Sequence, residues 1–344
     1  MINIKDKLKV SNILIKRTND VDVEYVPAEV FEADIKDINK RINEIDGADI
    51  DADNYVSKAE FNNEIDEIKN RIETIPEKKV DATGINFANS TFEELSDAFD
   101  FSNVTNFKGI FSDCNNLKRV NVNLTGSMAT SNDKSEMFRN CRALEQAPGF
   151  NALRVSDMTQ MYYNCSALQT VPSYNILECV SMEEMFYNCS NLTSVGNMDE
   201  NPDNWLLSVS RMFQGCGSLT TAPRIKTTNV EYFNNMFYGC FSLHTVPEYD
   251  ASSATNLNYI FEYAESIVNF GGLKNLKIDF TGIRNCMYLS YESIINVLNG
   301  LYDFRGNGDS STTRTLQLNS SSMAQLSDAD KAIATNKGWI LTTY

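Results

Sequence analysis

Four carboxylates at calcium-loop spacing are the first residues in this chain with ligand chemistry. Asp49, Asp51 and Asp53, then Tyr55, Ser57 and Glu60, reproduce the alternation of oxygen donors in an EF-hand loop. Alternate carboxylates suit a hard cation, and a closing glutamate can supply two oxygens. Asn54 stands where that loop takes glycine for its left-handed turn. The same residues also read as a solvated acidic link, 46–56, before a helix that opens on a Ser57–Glu60 capping box. Calcium is the one cofactor the sequence suggests, and otherwise none is expected.

The second chemistry-bearing set is the eight cysteines. Cys114, Cys141, Cys165, Cys189, Cys216 and Cys240 close a recurring phrase whose clearest copy is Met182, Met185, Phe186, Cys189, Leu192. Cys179 takes a slot filled elsewhere by Val155, Leu206 or Val230, as a small apolar residue would. There is no C-x-x-C pair and one histidine, so a zinc site is poorly supported. Disulfide frameworks belong to short secreted chains without a core, so these cysteines read as buried free thiols. His244 follows Leu243 in a slot held elsewhere by Lys118, Gln169 or Thr220, which predicts an exposed face residue. No nucleophilic triad, phosphate-cradling glycine loop or dinucleotide fingerprint appears in a plausible context. The expectation is a protein that is not an enzyme, with no catalytic residues.

The elements that would position these residues follow from the phrase itself. It recurs every 24 or 27 residues between Phe107 and Phe270, with Met137, Met161, Met212 and Met236 beside Phe138, Tyr162, Phe213 and Phe237. A seventh copy, Leu257, Ile260, Phe261, Ala264, Ile267, lacks the cysteine. A fixed period of this size marks a solenoid, in which each unit buries its apolar face against its neighbours. Offsets of 0, +3, +4 and +7 predict a two-turn helix, followed by a short strand such as Leu168 to Val171. Pro148, Pro172, Pro223 and Pro247 should mark strand ends. Three aromatics two residues after a proline, Phe150, Tyr174 and Tyr249, are candidate surface contacts.

The fold class expected is an α/β repeat solenoid, leucine-rich-repeat-like, carrying an N-terminal β anchor and a helical coiled-coil stalk. Residues 1–30 read as a β-hairpin anchor with a turn at Thr18-Asn19-Asp20. Residues 31–76 read as the stalk: Phe31, Ile35, Ile38, Ile42 and Ile45, then Phe61, Ile65, Ile68, Ile72 and Ile75, form narrow heptad seams. Isoleucine at both seam positions favours three or four strands over two, so a homotrimer is expected; an intramolecular helical hairpin is the alternative. Residues 77–106 should cap the solenoid, 107–289 build it and 290–344 close it. In the closing part, Ser290 to Phe304 reads as a helix, Thr315 to Leu318 as a strand, Ser327 to Ala334 as a helix stopped by Gly338, and Trp339 to Thr342 as a strand.

A net charge of −16 argues against nucleic acid and anionic membranes as partners. No apolar run reaches the roughly 20 residues of a membrane span, so no insertion is expected. The charged, alternating stretch Met1 to Val10 does not resemble a secretory signal.

The phrase Val180-Ser181-Met182-Glu183-Glu184-Met185-Phe186-Tyr187-Asn188-Cys189-Ser190-Asn191-Leu192 resembles the repeat of BspA-like leucine-rich-repeat surface proteins of bacteria. That resemblance covers about half the chain and implies surface-displayed binding or adhesion. Leu326 to Trp339 is similar to the closing unit of such repeat proteins in phages and gut bacteria, and the plan of anchor, stalk and repeat body resembles bacteriophage fibres. These likenesses imply a virion-associated trimer that docks to a virion structural protein by its N-terminus and meets a host-surface glycan or protein through the solenoid. The alternatives are a bacterial cell-surface adhesin and a glycan-acting, tailspike-like enzyme.

Overall fold

A computed structural model describes residues 80–95, 99–122, 124, 132–150, 152, 154–198 and 205–344. Contacts divide the chain after Pro76, and every described residue lies in the second unit, Glu77–Tyr344. The expected anchor, the stalk and the Asp49–Glu60 loop therefore lie outside the described residues.

The second unit is a parallel β-solenoid of about nine turns with little helix. The strands of its repeat body are two residues long and pair in parallel with the equivalent strand of another coil. β1 (Val80–Asp81) pairs with β3 (Phe99–Asp100), β2 (Glu94–Leu95) with β4 (Arg119–Val120), and β5 (Thr170–Val171) with β6 (Ser194–Val195). β7 (Thr245–Val246) pairs with β9 (Asn269–Phe270), and β8 (Tyr249–Asp250) with β10 (Leu273–Lys274). Pro172 and Pro247 immediately follow β5 and β7, as their missing N–H requires.

The expected two-turn helices are not present. Each Met-Phe-x-x-Cys segment is instead a pair of tight turns. In the Met182 copy, Met185 N–H bonds Met182 O at 3.2 Å, Tyr187 bonds Glu184 at 3.1 Å and Cys189 bonds Phe186 at 3.1 Å. Glu184 and Asn188 have φ of 55° and 56°, and the same +2 and +6 slots are left-handed in the neighbouring copies. A left-handed residue every fourth position cannot continue a right-handed helix. Between these turns, alternate residues face the next coil: Met182, Glu184, Phe186 and Asn188 donate to Ser208, Ser210, Met212 and Gln214 at 2.8–3.0 Å. The segment is thus both a row of turns and a rung of a parallel ladder. Its start is fixed by a polar residue at −1: Asp133, Asp157, Ser181 and Ser208 each accept, through the side chain, the N–H two residues on.

The turns still point slots 0, +3, +4, +7 and +10 inward, so the apolar columns meet as the spacing predicts. The +4 rings Phe111, Phe138, Tyr162, Phe186, Phe213, Phe237 and Phe261 stack at 5.2–5.6 Å with interplanar angles of 15° or less. Offset stacks at this separation add to the area buried. Each +7 thiol donates to the carbonyl of the +4 residue one coil back: Cys141 to Phe111, Cys165 to Phe138, Cys189 to Tyr162, Cys216 to Phe186 and Cys240 to Phe213, at 3.0–3.1 Å. All eight cysteines are buried and free. Cys286, unplaced by the repeat pattern, stands 22 residues after Ala264, whose carbonyl its thiol faces at 3.9 Å.

The C-terminal part closes the core. α1 (Tyr291–Gly300), N-capped by Ser290, buries Ile294, Val297 and Leu298. β11 (Arg314–Leu318) and β12 (Trp339–Thr343) pair in parallel over their whole length. A short helix absent from the sequence reading, α2 (Ser320–Ala324), precedes α3 (Asp328–Asn336). α3 opens on the Ser327–Asp330 capping box, and Gly338, at φ 93°, turns the chain into β12. Buried Trp339 donates its ring N–H to Tyr302 O at 3.0 Å.

Candidate functional site

Stacking identical coils places the outward side chains in columns as strict as the inner ones. At +6, just outside the thiols, Asn140 donates to Asp113 Oδ1 at 2.7 Å, Asn164 to Asn140 at 3.0 Å and Asn188 to Asn164 at 3.2 Å. Asn and Asp tolerate the left-handed backbone this slot requires. At +5, Tyr163 and Tyr187 stack at 4.7 Å and 5°, and Arg139 lies over Tyr163 at 5.6 Å. Burial and the neighbouring Tyr187 push the Tyr163 hydroxyl above its ordinary value. At +2, Glu184 accepts from Gln160 at 2.7 Å and from Arg211 at 2.9 Å, joining three coils. Burial and the charge of Glu184 raise the adjacent Glu183 carboxyl. These ladders hold outward groups at fixed spacing, which suits repetitive polar and aromatic contact with another surface.

Exposed apolar side chains are concentrated toward the C-terminal half. Among the described residues, all the large ones that face solvent lie at or beyond Trp205, including Phe241, Tyr259, Tyr263 and Tyr288. Tyr238 and Tyr263 meet edge to face at 5.1 Å.

Phe150, Tyr174 and Tyr249, expected at the surface, are buried instead. The residue two after the proline turns inward, and each tyrosine hydroxyl satisfies a backbone carbonyl of the preceding coil. Tyr174 donates to Pro148 O at 3.0 Å and Tyr249 to Pro223 O at 2.7 Å. Phe150 packs on Tyr174 at 4.5 Å. These rings have no face to offer a ligand. His244 is exposed, as its slot predicts. The seam residues Phe31 to Ile75 and the candidate calcium ligands Asp49, Asp51, Asp53 and Glu60 lie outside the described residues. Among the described residues, no group of three or more His, Cys, Asp or Glu side chains is placed to hold a metal ion. No helix among them is long and apolar enough to cross a membrane.

The outward tyrosines were not singled out from sequence. The available signal was the recurrence of Tyr163, Tyr187 and Tyr238 one residue after the core aromatic, at a slot outside the apolar set 0, +3, +4, +7 and +10.

The chain matches, over residues 55–173, 83–198 and 206–277, the family described as Mycoplasma protein of unknown function, DUF285. These matches cover more than half of its length. The chain belongs to that family. No curated protein matches it. The matched segments, each several coils long, take in the phrase copies from Phe107 to Ile267, so the family match falls on the repeat body.

Proposed function

We propose that this DUF285 solenoid is a non-enzymatic attachment protein that presents a rigid outward face to a host surface. In this reading residues 1–30 dock to a virion structural protein, residues 31–76 hold three copies together, and the solenoid projects from the particle. The observation that supports it is the set of outward ladders at +2, +5 and +6. Such columns spend polar and aromatic groups on a fixed external array, and three arrays on one stalk would turn weak contacts into avid binding. The test is the solution mass of the full chain together with competition between purified protein and intact particles for host cells. Three times the chain mass and dose-dependent loss of particle adsorption are expected. A monomeric chain, or one that leaves adsorption unchanged, refutes the reading.

The family match supports a second reading, a BspA-like adhesin on a bacterial surface, because the family is described from Mycoplasma. Detection of the chain in purified virions favours the first reading; detection on intact bacterial cells free of phage favours the second.

A further inference from the structure

The closing part of the solenoid ends on an open strand edge. Among the described residues β12 pairs with β11 alone, and in a parallel ladder successive residues turn their backbone groups to opposite sides. Arg314 N–H bonds Gly338 O at 3.3 Å and Tyr344 N–H bonds Leu318 O at 2.9 Å, so Ile340 and Thr342, between those bonds, turn to β11. The N–H and C=O groups of Trp339, Leu341 and Thr343 therefore point away from β11, and no described residue bonds them. Sheets guard such an edge with charge, proline, a bulge or a covering segment. Gly338 to Tyr344 contains no charged residue and no proline, and its register with β11 is unbroken. Ile340 is 51% exposed and Tyr344 69%. Trp339 and Leu341 pack into the core, so alternation puts Ile340 and Thr342 on the outer face.

We propose that this edge pairs, antiparallel, with β12 of a second copy across a twofold axis at Leu341. The pairing goes beyond the attachment reading and does not depend on it. In that register Trp339 meets Thr343 of the second copy, Leu341 meets its counterpart and Ile340 meets Thr342. The three outward N–H groups of each strand then reach the three outward C=O groups of the other, and none is left over. Any other antiparallel register leaves some of them without a partner. Despite the net charge of −16, no like charges face one another along the strand, and the cross-strand pairs are apolar or β-branched. A flexible foreign segment would have to be ordered on binding, whereas a second copy offers a strand already held extended by β11. An edge of this length hides less than the roughly 800 Å² per partner of a stable interface, so the association is weak and grows with concentration.

The experiment is sedimentation equilibrium of the full chain from about 1 μM to about 1 mM, with amide exchange read over residues 338–344 at both ends of the range. The mass should double with concentration, and exchange at 338–344 should slow as it does. Ile340→Lys with Thr342→Lys sets like charges directly opposite one another across the axis. Thr343→Pro removes an N–H that β11 does not use. Each variant should weaken the doubling by at least about ten-fold and melt within a few degrees of the unaltered chain. A mass that does not rise, doubling unchanged in both variants, or doubling without slower exchange at 338–344 overturns the pairing. Exchange there that slows only when solubilised host-surface protein is added assigns the edge to a foreign strand and overturns it as well. The mass at the dilute end is read separately: a single chain there sinks the trimer of the attachment reading and leaves the edge pairing standing.

Discussion

The hydroxyl chain inside the solenoid makes an unequal pair of tyrosine deletions. Tyr174 donates to Pro148 O at 3.0 Å, which uses its one hydrogen. The 2.7 Å contact between the two hydroxyls must then have Tyr162 as donor. Both rings are buried. Tyr162→Phe removes the outer member, strands no hydrogen and restores the phenylalanine found at most rungs of its column. Its cost is that of one net hydrogen bond, about 1 kcal/mol. Tyr174→Phe removes the middle member and leaves both the Tyr162 O–H and the Pro148 carbonyl buried without partners, at about 2–4 kcal/mol. In the double variant only the carbonyl is stranded, so its cost should fall below the sum of the singles by about 1–2 kcal/mol. Tyr249→Phe, which strands Pro223 O alone, should lie between the two singles. Urea unfolding of the four variants, with equal slopes checked, gives the differences from the midpoints. Tyr162→Phe costing as much as Tyr174→Phe, or strict additivity, would refute the assigned direction of the chain.

Burial pushes the thiols of Cys179 and Cys286 up to about 12 and raises those of Cys141, Cys165, Cys189, Cys216 and Cys240. The fold keeps these protons where the unfolded chain releases them, so stability is intact below about pH 9 and falls above it by up to about 1.4 kcal/mol per thiol per pH unit. Melting temperatures should drop steeply between about pH 9 and 10, and less so in Cys189→Ala; a flat profile would mean that the column is wet. Lys134, buried in a slot that is apolar in the other copies, is lowered to about 8 by burial, with its ammonium 4.8 Å above the Phe107 ring. Because its folded value lies below the ordinary 10.5, the penalty is complete below pH 8 and fades as pH rises from 8 to 10.5. Lys134→Met should therefore stabilise the fold at neutral pH by on the order of 1–3 kcal/mol, with the gap narrowing above pH 8 in denaturant titrations. Gly271 takes the place of the proline in its coil, and a Cβ there would meet the backbone of Pro247 and Glu248. Gly271→Ala should cost about 1–3 kcal/mol in the same assay, and an unchanged midpoint would contradict the close approach.

The inner columns were legible in the sequence because a side chain's direction is set by its offset. Met182, Met185, Phe186, Cys189 and Leu192 share one face in a helix, and they share it equally in two tight turns. Helix was therefore the wrong element with the right contents. The polar residue at −1 deepened the confusion: Asp157 or Ser181 before an apolar run looks like a helix N-cap, and here it caps a turn by the same bond. The discriminating sign was at +6, where Asp113, Asn140, Asn164, Asn188, Gly215 and Gly239 follow one another. Glycine, asparagine and aspartate in one column across six copies demand a left-handed backbone, which no helix interior supplies. By contrast Glu136, Gln160, Glu184 and Arg211 at +2 carry no such sign, although they are left-handed too. There the ladder bonds of the coils impose the conformation on ordinary side chains.

The outward site was less legible for a related reason. A core column announces itself by chemical uniformity, since each rung must be apolar. An outward column need only be compatible with its neighbours, so Arg139, Tyr163, Tyr187, Gln214 and Tyr238 share a slot without sharing a type. Only the register of the coils shows which of these side chains meet: Tyr163 stacks on Tyr187 at 4.7 Å beneath Arg139, whereas Tyr238 turns its ring to Tyr263 of the following coil.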